Sequence, residues 1–390
     1  MSEDLLQLAK DLLKRLIATP SLSSEEDAAA DVMVEFLKEQ HTAGAAKSGV
    51  PFAEVYRSRN NVWAVANPWL EGKPAILLNS HLDTVPPNSG YNRDPFVPVI
   101  EEGRLYGLGS TDAGGALVSL AISFLTLCRW EERPYNLVFA ATAEEENSGL
   151  GGIPALFAEN EFQRSTYGSF PTPSIESSES SYVHPHTCAI VGEPTEMQMA
   201  IAERGLLVID AVAHGVAGHA ARQEGENAIW IAMEDINWLQ ENQMPNVSDF
   251  LGSVTWTPTT IHTPNTKHNV VPDRCEFTID IRIHEGYTHE QILETLRTHL
   301  KSELKPRSTN LRSSLIPLDH PLIQAGITLG RQSFGSPTSS DKGRMPIPAL
   351  KMGPGNSSRS HTADEYIELR EIKEGIDLYI DLLKRVEFPR

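Results

Sequence analysis

Disulfide scaffolding is the first thing this sequence lacks. Its cysteines are Cys128, Cys188 and Cys275, each set among apolar neighbours such as SFLTLCRW and TCAIVG. Three such residues read as reduced, buried thiols of a cytoplasmic protein. Positive charge is also short: Lys+Arg number 33 against Asp+Glu 52, a net charge of −19. That excludes the basic footprint of a nucleic-acid binder and argues against adhesion to anionic lipid. It suits divalent cations, although excess carboxylates also simply keep a protein in solution. No run reads as long and apolar enough to span a membrane. The start, MSEDLLQLAKDLLKRLIATP, has neither the basic opening nor the cleavage site of a signal peptide. No internal repeat is present.

The chain has 390 residues, 40% of them hydrophobic and 22% charged, which fits a globular protein. At roughly 100–200 residues per domain, two domains is the simplest division. The N-terminal segment reads as an amphipathic helix with Leu5, Leu8, Leu12 and Leu16 on one stripe, ended by Pro20. A second helix is expected over 25–37. Short apolar runs follow at FAEVY, NVWAVA, AILLNS, NLVFAATA and CAIVG, with a buried helix at GGALVSLAISFLTLCRW. Strands alternating with helices predict an α/β layer with a largely parallel sheet. The Ser/Pro-rich stretch 165–186 reads as a surface excursion, with His184 and His186 solvated rather than ligating.

The texture changes near residue 200. GLLVIDAVAHG, SVTWTPTTIH and CEFTIDIRIH alternate like half-buried strands, with helices expected at 227–239 and 289–304. The first texture returns after about residue 314, with helices expected at 321–334 and 369–386 and a short strand at ALKMG. The expected architecture is an α/β domain, 1–200 and 314–390, interrupted by a smaller α+β domain, 201–313.

The residues suited to chemistry share one placement. His81 and Asp83 follow AILLNS; Glu144, Glu145 and Glu146 follow NLVFAATA; Glu193 follows CAIVG. His361 follows ALKMG across GPGNSSRS, and Asp112 immediately precedes a helix. In open α/β sheets, ligands bind beyond the carboxyl ends of the strands. Two His and several carboxylates without Cys suit zinc, cobalt or manganese. Paired ions about 3.5–4 Å apart polarise a carbonyl and activate water. In an extended segment i and i+2 share a side, so Asp83 can orient the His81 ring. Consecutive glutamates permit one to hold metal while its neighbour moves a proton. Taken singly, each motif has a plainer reading. An HxD is usually a turn, three glutamates a solvated face, GEPT a Pro-containing turn, and His361 a polar loop residue.

Together the segments SHLDTVP, DPFVPVIEEGRLYGLGSTDAGG, ATAEEENSG, VGEPT, GVAGHAAR, HNVVPD, DIR and GPGNSSRSHTADEY carry a resemblance over nearly the whole chain. It resembles the dinuclear-zinc family of acetylornithine deacetylase, succinyl-diaminopimelate desuccinylase, aminoacylase and carboxypeptidase G. That resemblance implies a zinc-exopeptidase-like catalytic domain with an inserted lid and dimerisation domain. It implies two divalent ions, zinc first and cobalt as the alternative, bridged by Asp112. One ion would take His81 and Glu193, the other Glu146 and His361, with Asp83 orienting His81. Glu145 would be the base acting on the attacking water. With three glutamates in a row, a register slipped by one stays open. A cis peptide is implied just after Asp112. His219 would stabilise the oxyanion across a homodimer; its plainer reading is a polar residue beginning a helix. Asn269, Arg282, Gly353 and Gly355 would bind substrate. Arg282 is otherwise a solvent-facing strand residue. The segment departs from many relatives in reading Ala113-Gly114-Gly115 where they carry Met-Lys-Gly.

The implied activity is hydrolysis of a small N-acyl L-amino acid. GEPTEMQMAIAERG and AGHAAR are most similar to the acetylornithine deacetylase branch, in arginine biosynthesis. N-acetylcitrulline and N-succinyl amino acids, succinyl-diaminopimelate included, are the alternatives. A non-catalytic metal-binding relative is the rival of another class.

Overall fold

The computed structural model describes residues 3–48, 53–171, 184 and 186–389. The chain divides into two compact units, Met1–Ile201 with Ile316–Phe334 and Ser340–Arg390, and Ala202–Leu315 with Gly335–Ser339. The return of Gly335–Ser339 to the second unit carries no signal in hydropathy.

The first unit is built on a mixed sheet. Its strands run in the order Ala53–Ser58, Asn61–Ala66, Asn136–Thr142, Ala75–His81, Cys188–Val191, Ala349–Lys351, Met199–Glu203. The four from Asn136–Thr142 to Ala349–Lys351 are mutually parallel. The flanking pairs are antiparallel, so the sheet is less uniformly parallel than expected. Asn136–Thr142 and Ala75–His81 are buried along their whole length, as strands covered on both faces must be.

The helix Gly115–Leu127 packs against the Ala75–His81 strand and the helix Leu369–Arg385. The stretch Ser110–Leu127 is long and apolar enough to cross a membrane, by length and composition only, which corrects the expectation that no run qualifies. In the fold 89% of it is buried, as a core helix. The first helix, Glu3–Ile17, buries Leu6, Ala9, Leu12, Leu13 and Ile17 rather than the stripe through Leu5, Leu8 and Leu16. Its leucines satisfy two neighbouring stripes at i, i+3, i+4 spacing, and packing selects one. Phe170, inside the expected excursion, is fully buried against Phe157 and Phe162. His186 stacks on Phe388 with centroids 5.8 Å apart, and His184 lies 5.5 Å from His186. Both are half-buried beside these rings. The remainder of the stretch, 172–183 and 185, lies outside the described residues.

The second unit carries an antiparallel sheet in the order Thr255–His262, Arg274–Ile283, Gly205–His214, Glu303–Pro306. Burial alternates along Arg274–Ile283. Leu207, Ile209, Phe277, Ile279 and Ile281 share a core with Leu293 and Leu296 of the helix His289–His299. That helix stops short of residue 304 because 303–306 joins the sheet edge.

The helix Pro321–Thr328 is capped by His320, whose Nδ1 accepts the Leu322 N–H at 3.2 Å. Burial, and then the neighbouring His186, push the His320 pKa from 6.5 down to about 4. The unfolded chain therefore takes up this proton first as pH falls. The contribution is fully present above about pH 6.5 and is lost on the way down to about 4. His320→Asn keeps a capping side chain and removes the titration. Between about pH 7 and 4.5 the wild type is expected to lose more Tm than His320→Asn, and equal losses would contradict this.

Candidate metal centre and active site

His81 ends the strand Ala75–His81, and its ring is held before any ligand arrives. Nδ1 lies 2.9 Å from the Asp83 carbonyl and 3.4 Å from Asp83 Oδ1. Those acceptors place the ring proton on Nδ1 and leave the Nε2 lone pair free to coordinate. Nε2 faces Asp112 Oδ1 at 3.3 Å and Glu193 Oε1 at 3.8 Å.

Asp83 sets a second element as well. Its Oδ1 accepts the Glu145 N–H at 3.0 Å. Its Oδ2 accepts the Glu146 N–H at 3.1 Å and the Ser23 hydroxyl at 2.7 Å. Burial would raise the Asp83 carboxyl, but His81 and these donors win and hold it below the usual range. One carboxylate thus orients the imidazole and fixes the backbone that carries the glutamates.

That backbone sends the Glu144 and Glu146 side chains to different places. Glu144 has φ 55, and its N–H donates to the buried Glu26 Oε1 at 3.1 Å. Its side chain turns back over the glycine loop, where Oε2 accepts the Gly151 N–H at 2.7 Å. A Cβ at Gly149 would lie 1.9 Å from Glu144 Oε2, so the loop is glycine to make room for it. Glu146 instead approaches His361, with Oε2 3.1 Å from Nε2. Glu145 lies between them in sequence, facing the charges of Glu193, Asp341 and Glu146. Burial, then those carboxylates, push its carboxyl well above the ordinary range. Burial and Asp112 push Glu146 up to about 8.

Asp112 is presented by a loop that Glu365 grips. One Glu365 oxygen accepts the N–H groups of Thr111 at 2.7 Å and Asp112 at 2.9 Å, and the other accepts Gly109 at 2.9 Å. The Asp112–Ala113 peptide is cis. Gly114 leaves no room for a side chain, since a Cβ there would sit 2.5 Å from the Gly109 carbonyl oxygen. Asp112 Oδ2 lies 3.5 Å from His361 Nε2. Asp112 therefore turns one oxygen to each imidazole. The result is two triads, His81–Asp112–Glu193 and Asp112–Glu146–His361, whose donor atoms each fall within 4.8 Å of one another.

These residues fit divalent ions by their chemistry. Each set offers one imidazole and two carboxylates, and the shared carboxylate matches a bridging ligand. Burial lowers the His81 pKa, yet Asp112, Asp83 and Glu145 outweigh it and raise the ring well above its ordinary value. The site demands positive charge at that point. It is a candidate dinuclear divalent metal site of the kind zinc occupies.

The family model for peptidase family M20/M25/M40 matches residues 77–385. The chain belongs to that family. A succinyl-diaminopimelate desuccinylase from Xanthomonas campestris pv. campestris (strain B100) is 24% identical over 99% of this chain and 100% of its own. One from Erythrobacter litoralis (strain HTCC2594) is 27% identical over 75% of this chain and 74% of its own. Among solved structures, aminopeptidase PepT from Bacillus cereus ATCC 10987 superposes with a TM-score of 0.67 at 17% identity, covering 98% of each chain. The M20 metallo-carboxypeptidase Sso-CP2 from Sulfolobus solfataricus gives 0.66 at 17% identity, covering 99% of each. These structures share the α/β catalytic domain with an inserted smaller domain. Family fold and paired clusters together are those of a zinc-dependent amidohydrolase. These two relatives carry the name succinyl-diaminopimelate desuccinylase, not acetylornithine deacetylase.

The other expected site residues are placed as follows. Gly353 donates its N–H to Thr195 Oγ1 at 3.1 Å, and a Cβ there would meet the Glu193 carbonyl oxygen at 2.5 Å. Its N–H is thus taken by Thr195 within the fold. Gly355, at φ 91, packs beside Thr111 and Pro194. Within the second unit, His219 and Asn269 are brought together. His219 pairs with Val270, and the Asn269 carbonyl accepts the Ala220 N–H at 3.1 Å. His219 is exposed and accepts the Ala221 N–H at Nδ1. Arg282 spends its fork on Asp280, with bonds of 2.7 and 3.0 Å, so it is already paired along its own strand. Glu26, Glu365, Asp341 and Arg344 were not singled out from sequence. Glu365 closes the segment HTADE four residues after His361, and nothing in that spacing signals its grip on residues 109–112.

Removing the carboxylate that orients a ligand typically costs 10–100-fold in metal affinity. Asp83→Ala is expected to weaken zinc binding by about 10- to 100-fold, measured by chelator competition. Unchanged affinity would contradict the double role given to Asp83.

Proposed function

We propose that the chain hydrolyses the amide bond of small N-succinyl amino acids, with succinyl-diaminopimelate the first substrate to test. The observation that carries the reaction class is the pair of triads joined at Asp112 with Glu145 beside them. The acyl group is supported by the names of the relatives. A second reading, N-acetylornithine or N-acetylcitrulline, rests on the GEPTEMQMAIAERG and AGHAAR segments.

His81, Asp112 and Glu193 would hold one ion, and Asp112, Glu146 and His361 the other. Two bound ions supply Lewis acidity that polarises an acyl carbonyl and acidifies water. Glu145 is the proton carrier. It accepts a proton from water as the oxygen adds to the acyl carbon, and gives that proton to the departing nitrogen as the C–N bond breaks. The products are a carboxylate and a free amino acid. Burial, then the neighbouring carboxylates, raise its carboxyl, which is the direction that favours delivery of a proton in the second step. His219 would donate to the developing oxyanion from a partner subunit, as the family resemblance implies. Exposed Val216, Trp230, Met233 and Val270 in the same unit supply apolar surface for such a dimer. Asn269 and Gly355 remain proposed substrate contacts. Arg282 would have to exchange Asp280 for a substrate carboxylate.

Zinc- or cobalt-loaded protein should release free amino acid from succinyl-diaminopimelate in preference to N-acetylornithine, N-acetylcitrulline, N-succinylornithine and N-succinylcitrulline. Preference for N-acetylornithine would move the reading to the second, and no release from any of them would overturn the reaction class. Glu145→Gln should lower kcat by about 10²–10⁴-fold with metal content unchanged, and a near-wild-type kcat would remove Glu145 from the proton path.

A further inference from the structure

The short helix Asp341–Arg344 reaches three places in the first unit, and two of them border the glutamate run. Asp341 is buried, and its Oδ2 lies 3.1 Å from Asn79 Nδ2 and 3.0 Å from Thr142 Oγ1. Thr142 Oγ1 is in turn 3.1 Å from Asn79 Oδ1, so the three side chains close a triangle. Asn79 lies two residues before His81 on one strand, on the same side as the His81 ring. Thr142 ends the neighbouring strand, directly opposite His81 in register and two residues before Glu144. Arg344 grips the far side of the run. Its Nη1 donates to the Gly149 carbonyl at 2.7 Å, and its Nη2 donates to the Ser148 carbonyl. Between them, Lys342 Nζ donates to the Ala200 and Ile201 carbonyls and anchors the turn itself.

A purely structural role explains this arrangement poorly. Asp341 Oδ1 is buried without a hydrogen-bond partner. Its carboxylate also faces the charge of Glu145. A buried acid placed near other acids costs stability, and unsatisfied buried polar atoms in native folds call for a reason. The common reason is a site whose geometry matters more than its stability.

We propose that Asp341 and Arg344 are positioning residues for the amide hydrolysis: from one helical turn they fix both ends of the Glu144–Glu146 run and hold it in register with His81. The inference rests on the hydrolase reading for its kinetics, but not for its geometry. Asp341 touches neither the ligands nor the reacting atoms and acts through Asn79 and Thr142.

The test compares Asp341→Asn and Arg344→Ala with the wild type by four readouts. They are the Tm of metal-free protein, zinc content, the visible spectrum of the cobalt-loaded protein, and kcat against KM on the substrate found above. Asn at 341 keeps the shape and removes the buried charge, so its Tm is expected to match or exceed the wild type. The kcat is expected to fall about 10- to 100-fold, with KM within about threefold and two zinc ions retained. The cobalt bands are expected to shift, because His81 and Glu146 move relative to each other. A purely structural role predicts the opposite: a lower Tm with unchanged kcat per folded, loaded molecule. An unchanged kcat in both variants overturns the proposal whatever the spectrum does. If Asp341→Asn fails to fold, Arg344→Ala alone decides by the same criteria. If the wild type turns over no substrate, the hydrolase reading falls separately, and unchanged cobalt bands then overturn the positioning role.

Discussion

Like charges held close in a half-buried place are the constraint on which this structure depends. Asp112, Glu145, Glu146 and Glu193 gather near the carboxyl ends of parallel strands, where burial alone disfavours the charge of the first three. Two imidazoles are too little positive charge to balance them. Evolution tolerates such crowding where cations complete it, and the donor atoms already stand in two sets around a shared Asp112. Fold and function meet at this point. The sheet exists in the form that brings these strand ends together, and the rest of the first unit holds them there.

The holding is done largely by a second ring of buried carboxylates that accept N–H groups. Asp83 fixes the Glu145–Glu146 backbone, Glu365 the loop of Asp112, and Glu26 the start of the glutamate run. Each comes from a segment distant in sequence from what it holds. Each takes backbone donors that a tight turn leaves unsatisfied, so a buried anion and orphaned N–H groups resolve each other's cost. Positive φ at Glu144 and His361 belongs to the same economy of space. The turns are sharp because the chain must leave a strand and present a side chain within two or three residues.

Much of this was legible in the sequence. His81, Asp83, the three glutamates and Glu193 each sit just past an apolar run, and the topology rule for α/β sheets turns that placement into convergence. His81 with Asp83 was readable from the two-residue period of an extended chain. Where each glutamate side chain goes was not, because that depends on Asp83 and on the glycine loop that takes the Glu144 side chain. Nor were Glu365 and Asp341, whose partners lie hundreds of residues away with no periodic signal. The pairing of Arg282 with Asp280 was available in principle, since i and i+2 share a strand face. The first helix shows the ordinary limit of pattern reading. Its leucines fit two stripes, and only packing against the rest of the unit selects the one that is buried. Nor does any composition argument reveal that a Cβ at Gly114 would sit 2.5 Å from the Gly109 carbonyl oxygen.

The central claim is that this centre takes two cations that share Asp112. A crystal of zinc-loaded protein, measured on both sides of the zinc absorption edge, tests it most directly. The account predicts two anomalous peaks, one between His81 and Glu193 and one between Glu146 and His361, about 3.5–4 Å apart, with one Asp112 oxygen on each. A single peak, or two peaks with Asp112 bound to neither or only one, would contradict it.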